Sequence, residues 1–108
     1  MSVKVMHTTG PWVVLPEECD KPYIRVRGTA LGGRYKVANV ITPIYDGVRP
    51  EEAEETRHNA QLIAAAPDLL AALQMLYDET ADYIRLNSLG GMDNQCMQMA
   101  RNALARCR

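Results

Sequence analysis

HNAQLIAAAPDLLAAL, residues His58 to Leu73, places a proline in the middle of a run of strong helix formers. Inside a helix, proline removes a backbone hydrogen bond and clashes with the preceding turn, whereas at the first helical position its missing N–H has no cost. Pro67 therefore predicts the start of a new helix, with Asp68 near the positive end of the helix dipole. The alanines at 64–66 are small enough for two helices to meet at a tight corner.

The helix before this corner has a start signal of its own. Pro50 suits a first helical position, and the four glutamates of segment 51–55 complement the dipole of the opening turns. We expect this helix to run from Pro50 through Ala65. Paired active-site carboxylates are an alternative interpretation of the glutamates, but their place in the first turns explains them without one.

The helix after the corner is expected to continue to about Leu86, because its apolar residues recur at intervals of three and four. A third helix is expected from Asp93, as its N-cap, to Cys107, after a turn that contains glycine. Two helices joined by a short turn predict an antiparallel helical hairpin. The expected apolar face of the second helix is Leu69, Leu70, Leu73, Leu76, Tyr77, Thr80, Tyr83 and Ile84. The expected stripe of the third helix, for contact with the sheet or with a second copy of the chain, is Cys96, Met99, Ala100, Ala103, Leu104 and Cys107.

Three β-type runs precede the helices. They are WVVL (Trp12–Leu15), YIRVR (Tyr23–Arg27) and RYKVANVI (Arg34–Ile41). Such runs predict an antiparallel meander, and a sheet of three strands needs cover on one face. The predicted fold class is α+β: a small N-terminal three-stranded antiparallel sheet packed against two or three C-terminal helices, including the hairpin. We expect a single domain over residues 1–108, with a β-rich part at 1–47 and a helical part at 48–108.

Composition and charge limit the classes of function. The 108 residues carry a net charge of −1, which disfavours binding to long nucleic acid. Residues 1–49 have seven basic and four acidic side chains, net +3, whereas residues 50–108 have five and nine, net −4, so the first part is expected to carry a basic patch. No apolar run approaches the roughly 18 residues of a membrane span. We expect a soluble, cytoplasmic protein.

Side chains that usually carry catalysis or bind metals are sparse. Cys19, Cys96 and Cys107 lack C-x-x-C spacing, and His7 and His58 have no second ligand at metal-binding spacing. Neither a nucleophile elbow nor a phosphate-binding glycine motif is present. We therefore expect no enzyme activity, no metal site and no cofactor. Cys96 and Cys107 fall on the apolar stripe of the third helix, where we expect them to be buried.

One group of residues has the chemistry of a ligand site. Tyr23, Arg25 and Arg27 alternate along one strand and so project from one face of the sheet, with Trp12 on the neighbouring strand. Guanidinium groups pair with phosphates and aromatic rings stack on bases, so this group suits a nucleotide. The alternative is that the two arginines line a solvated face while Trp12 fills the core.

The motifs TTGPWVV (residues 8–14) and NAQLIAAAPDLLAAL (residues 59–73) resemble those of a group of small phage and prophage proteins, most of them uncharacterised. Members of that group read H-T-P-G-P-W near the start, then N-A-x-L-I-A-A-A-P-x-L-L-x-A-L, and end in a helix of the form A-R-x-A-L-A-R. This chain matches the last pattern from Ala100 to Arg106 and has Thr9 where the group has proline. The resemblance implies a phage origin and leaves the mechanism open.

The layout of a small antiparallel sheet before helices, with an early tryptophan and strand arginines, is similar to that of the Thoeris anti-defence sponge proteins of phages. Those proteins oligomerise and, without catalysis, sequester cyclic ADP-ribose-type signals between subunits through aromatic stacking and arginine–phosphate contacts. The resemblance implies that Trp12 stacks on the ligand. It implies phosphate contacts by Arg25, Arg27 and Arg57, and a base or ribose contact by Asn59.

Two other functions stay open. The chain could inhibit a host defence protein by direct contact, in the manner of anti-CRISPR proteins, through the methionine-rich third helix or the acidic segment 51–55. It could also be an accessory phage protein without a ligand. We expect a homo-oligomer, a dimer or higher, because the narrow alanine stripe of the third helix suits a symmetric partner. On all these hypotheses the protein works in the cytoplasm of the host cell.

Overall fold

The structure is a computed structural model, and it describes residues 7–18, 21–29, 35–41, 50–87 and 94–107. The chain divides into two compact units, Met1–Pro67 and Asp68–Arg108. The first unit holds the sheet and the first helix, and the second unit holds most of the second helix and all of the third. The expectation of a single domain over the whole chain stays a prediction.

Three strands are followed by three helices. They are β1 (Trp12–Val14), β2 (Tyr23–Gly28), β3 (Tyr35–Ile41), α1 (Pro50–Ala64), α2 (Ala66–Leu86) and α3 (Gln95–Arg106). The predicted α+β fold class, with a three-stranded antiparallel sheet before the helices, is confirmed. Leu15 lies just beyond β1 and its N–H donates to the carbonyl of Arg25 at 3.0 Å, whereas Arg34, the expected start of the third strand, lies outside the described residues.

The sheet has the order β1-β2-β3, and both neighbouring pairs are antiparallel. The side chains of the central strand β2 alternate between the two faces. Ile24 and Val26 are buried, with exposed fractions of 1% and 0%. Tyr23, Arg25 and Arg27 lie on the opposite face and are half-buried. The register shifts between Val26 and Arg27, where β3 has one additional residue.

Helix α1 covers the face of the sheet that carries Ile24 and Val26. Ala60 and Ala64 of this helix are buried in the same hydrophobic cluster. Because alanine has no side-chain atom beyond Cβ, the α1 backbone can lie close to the strand. Larger apolar residues close the cluster at its edges, namely Trp12, Val14, Val37, Ala38, Val40 and Ile63.

The corner between α1 and α2 lies where the proline predicts it. Helix α1 ends at Ala64, Ala65 is a turn residue, and α2 begins at Ala66. The N–H of Ala65 donates to the carbonyl of Gln61 at 3.0 Å, which closes the last turn of α1. Pro67 is the second residue of α2, where a missing N–H removes no intrahelical hydrogen bond.

Pro67 also packs against the segment that precedes β1. A Cβ atom added to Gly10 would lie 2.8 Å from Cβ and 3.3 Å from Cγ of Pro67. The same segment is tied to the end of β2, because the hydroxyl of Thr29 donates to the carbonyl of Pro11 at 2.9 Å. The two motifs that surround Gly10 and Pro67, distant in sequence, therefore meet within the first unit.

The buried face of α2 is narrower than the apolar stripe in its sequence. Ile84 is buried and Tyr77 is half-buried. Leu69, Leu76 and Tyr83 were expected in the same stripe but are 52%, 64% and 61% exposed, so the prediction was wrong for these three. Residues seven positions apart drift by only about 20° around a helix, so these three form a line of their own, beside the line that contains Tyr77 and Ile84.

The buried face of α3 is also rotated from the expected one. Met97 and Leu104 are buried, whereas Cys96 and Cys107 are exposed, so the prediction that both cysteines are buried was wrong. Met97 and Leu104 lie on one line seven positions apart, and their side chains remove more apolar area from water than cysteine does. Two further members of the expected stripe are exposed, Met99 and Ala103.

Helix α3 starts with a cap one residue later than expected. The N-cap is Asn94, whose Oδ1 accepts a hydrogen bond from the N–H of Met97 at 2.9 Å. Cys19 and the segment 88–93, which contains the expected cap Asp93 and the expected turn of the hairpin, lie outside the described residues. The helical hairpin itself stays a prediction.

Among the described residues, no single helix has both the length and the apolar character needed to cross a membrane. The two helices Glu51–Ala64 and Ala66–Leu86 pass such a test only when they are taken together across their break. That result concerns length and composition alone.

We predict that Gly10→Ala lowers the free energy of unfolding by about 1–3 kcal/mol, because the new methyl group overlaps Pro67 and forces packed backbone to shift. Thr9→Ala, a change at the exposed neighbouring residue, is the control and should alter the same free energy by less than about 0.5 kcal/mol. Urea denaturation of both variants and the parent protein measures the difference. Equal midpoints for Gly10→Ala and the parent would contradict the packing argument.

Candidate functional site

The face of the sheet turned away from α1 carries a cluster of basic residues. Directly opposite residues on antiparallel strands share a face, so the register identifies its members. We call this surface the arginine face. Its cross-strand pairs are Val13–Arg27, Arg27–Lys36, Arg25–Asn39 and Tyr23–Ile41.

Arg27 is held on this face by neutral acceptors. Its Nη1 donates to the carbonyl oxygens of Val26 at 2.9 Å and Ala38 at 3.0 Å. Its Nη2 donates to Oδ1 of Asn39 at 2.9 Å. None of these acceptors is a carboxylate, and in the described part of the chain no acid forms an ion pair with Arg27. Among the described residues, the guanidinium is therefore fixed in direction by neutral acceptors alone.

Lys36 lies directly across from Arg27. The Cβ atoms of such a pair are about 4.5–5.5 Å apart, and like charges at this position destabilise the strand pair. Lys36 is exposed, and it makes no ion pair with any residue that the structure describes. This end of the arginine face therefore carries a local excess of positive charge.

Arg25, on the same face, is neutralised by an acid. Its Nη2 lies 2.8 Å from Oε1 of Glu18 and donates to the carbonyl of Pro16 at 3.3 Å. Glu18 also pairs with Lys21 at 2.9 Å. The hydrogen bond from Lys21 is the main reason that the pKa of Glu18 lies below its ordinary value, and the charge of Arg25 acts in the same direction. The same hydrogen bond raises the pKa of Lys21.

Trp12 lies on the other face of the sheet. It is opposite Gly28 in the register and packs against the buried cluster under α1. Its Nε1 donates to the carbonyl of Thr8 at 3.0 Å, and the ring of His7 meets the indole edge-on with 6.2 Å between centroids. The indole thus fills the edge of the core, as one of the two interpretations of the sequence has it.

Arg57, in α1, forms two ion pairs. Its Nε lies 2.9 Å from Oε2 of Glu17, and its Nη1 lies 2.8 Å from Oε1 of Glu54. These two hydrogen bonds, that of Glu17 first, raise the pKa of Arg57 above its ordinary value. Asn59 is exposed and stands two residues further along α1, about 200° around the helix axis from Arg57.

The structure therefore brings together only part of the predicted site. Tyr23, Arg25 and Arg27 share the arginine face. Trp12 lies on the opposite face of the same sheet, and Arg57 and Asn59 belong to α1, the helix that covers that opposite face.

Three residues that sequence reasoning did not select shape this site. Lys36 joins Arg27 through the register of β2 and β3, while Glu17 and Glu18 neutralise two of the predicted arginines. The alternation of polar and apolar residues in β3 predicts that Lys36 is exposed. Its pairing with Arg27 depends on the register between two strands, which local sequence does not give. Within the described ranges, no group of three His, Cys, Asp or Glu side chains could hold a metal ion.

Comparison with known proteins identifies a family. No curated protein and no solved structure matches the chain. A family model described as Salmonella phage P22 protein Y8K6 matches residues 1–108, which is the whole chain. The expectation of a small phage protein is thereby confirmed. The chain belongs to the Salmonella phage P22 protein Y8K6 family.

Proposed function

We propose that this phage accessory protein acts by binding, without catalysis, and that its arginine face takes a phosphate-bearing ligand. The observation that supports the proposal is the Arg27–Lys36 pair, two directly opposed cations without an ion-pair partner among the described residues. A phosphate between them would replace a like-charge repulsion by two charge-assisted hydrogen bonds.

The hydrogen bonding of Arg27 suits this role. A guanidinium has five N–H donors, of which three are engaged by Val26, Ala38 and Asn39. The hydrogen bonds among the described residues therefore leave two donors, and a planar guanidinium edge matches the geometry of a phosphate. Because the side chain is already oriented by the sheet, binding would cost less conformational entropy than it would with a free arginine.

We further propose that the ligand is a cyclic nucleotide immune signal of the cyclic ADP-ribose type, which the protein sequesters in the host cytoplasm. Tyr23 lies on the same face, four residues from Arg27 along β2, or about 13 Å. A ring at this distance from the cations suits a base at one end of a ligand and a phosphate at the other. Tyr23 then takes the stacking role that the resemblance implies for Trp12.

A second candidate is inhibition of a host defence protein by direct contact. It is favoured by the acidic start of α1, where Glu51, Glu52, Glu54 and Glu55 are all exposed. An acidic helix face of this kind complements a basic surface on a partner. Glu54 pairs with Arg57 at 2.8 Å, and its side chain is still 60% exposed.

We predict that cyclic ADP-ribose isomers bind the purified protein in isothermal titration and that Lys36→Gln weakens the affinity on the order of tenfold, since one charged phosphate contact is lost. The control is Lys21→Gln, the same charge change at a lysine that is already paired with Glu18, and it should retain the parent affinity. Cyclic dinucleotides, cyclic trinucleotides and inorganic phosphate complete the panel.

Each result of that titration decides a different part of the proposal. Binding of inorganic phosphate alone, weakened by Lys36→Gln, would support the arginine face and contradict the cyclic nucleotide. Absence of binding by every compound would contradict both and favour the protein inhibitor, for which a Glu51→Lys/Glu55→Lys variant should lose its host partner in a pull-down.

Without any ligand, Lys36→Gln should raise the free energy of unfolding by about 0.2–1 kcal/mol, because it removes one member of a directly opposed pair of cations. The gain should shrink in high salt, since exposed charges are screened. Urea denaturation at low and high ionic strength measures both effects. A loss of stability in the variant would show that Lys36 has an attractive role in the free protein.

A further inference from the structure

Helix α2 exposes a line of large apolar side chains. Leu69, Leu76 and Tyr83 follow one another at intervals of seven residues and are 52%, 64% and 61% exposed. At 21 residues, α2 is about 30 Å long, and this line runs along most of it. We call these three residues the α2 line. Exposed apolar surface arranged in this way is typical of a helix that packs against another helix.

Helix α3 exposes a second apolar line, in which every side chain except Met99 is small. Its members are Cys96, Met99, Ala103 and Cys107, all exposed and spaced by three and four. We call them the α3 line. Small side chains create the shallow surface into which large ones such as leucine and tyrosine can pack. The two lines are therefore complementary in size.

The flanks of the two lines are complementary in charge. By helical geometry Glu79 flanks the α2 line, and Asp68 stands near its start, whereas Arg106 flanks the α3 line. The described charged residues of α2 are four acids and one arginine, and those of α3 are two arginines. Neither Glu79 nor Arg106 forms an ion pair within the ranges that the structure describes.

We propose that a second copy of this chain covers these surfaces: the α2 line of each protomer packs against the α3 line of its partner around a two-fold axis. A two-fold dimer uses the same surface twice, so both lines of both protomers are buried at once. Glu79 then faces the partner's Arg106. Pairing of α2 with α2 would instead bring the acidic flank of each helix to the same interface without a basic partner, which like-charge repulsion disfavours. The proposal does not depend on the ligand of the arginine face.

The first test compares two adjacent residues of α2. Leu76 and Met75 are both 64% exposed, but only Leu76 lies on the α2 line. We expect the parent protein to be a dimer in analytical ultracentrifugation. Leu76→Glu should raise the dimer dissociation constant about a hundredfold or more, because a carboxylate would be buried against the α3 line. Met75→Glu should leave the constant within about threefold of the parent value.

The second test reverses the charges that flank the lines. Glu79→Lys and Arg106→Glu should each weaken the dimer on the order of tenfold, and the double variant should recover most of the parent affinity. Arg101→Glu, on a different side of α3, is the control. A monomeric parent protein, equal effects of Leu76→Glu and Met75→Glu, or a double variant no better than the single ones would overturn the proposal. A dimer that ignores all these changes would show that another surface pairs the subunits.

Discussion

The first unit depends on the packing of α1 against the central strand through Ala60 and Ala64. Because these residues end at Cβ, the helix backbone lies close to Ile24 and Val26, which are almost completely buried. Strand side chains alternate with a period of two, so burial of these two residues commits their neighbours to the other face. The arginine face is in this sense a consequence of apolar burial, because the basic residues of β2 alternate with the two residues that the core buries.

The arginines of the first unit have different roles because their hydrogen-bond and ion-pair partners differ. Arg25 and Arg57 pair with Glu18 and Glu17, and so tie the segment after β1 to the sheet and to α1. Exposed pairs of this kind contribute little to stability, and their effect is to position the segment. Arg27 is held by carbonyl and amide oxygens, and no acid among the described residues pairs with it, which is why we propose it as the phosphate contact. We therefore propose the site from the lack of an acidic partner at Arg27, and not from the number of basic residues.

In the second unit, unlike the first, a large part of the apolar pattern in the sequence is exposed in the structure. Both of its helices carry more apolar residues than they bury, and part of the excess forms the α2 line and the α3 line, while Met75 and Leu86 are exposed outside them. A small unit buries a limited share of its surface by itself, so association is a way to cover the remainder. The α2 line is made of large residues with acids beside it, and the α3 line is mostly small with an arginine beside it. These are the features on which we propose a second copy of the chain as the partner.

The order and type of the strands and helices, and part of the candidate site, follow from local sequence signals. Proline marked where α2 begins, because its chemistry is local, and the period of two in β2 placed Arg25 and Arg27 on one face. The tertiary structure is needed to place Trp12 on the other face and Lys36 opposite Arg27, because strand register joins residues that are distant in the chain. It also decided which apolar line each of α2 and α3 buries. Two adjacent lines of a helix can both satisfy the spacing of threes and fours, and packing chooses between them.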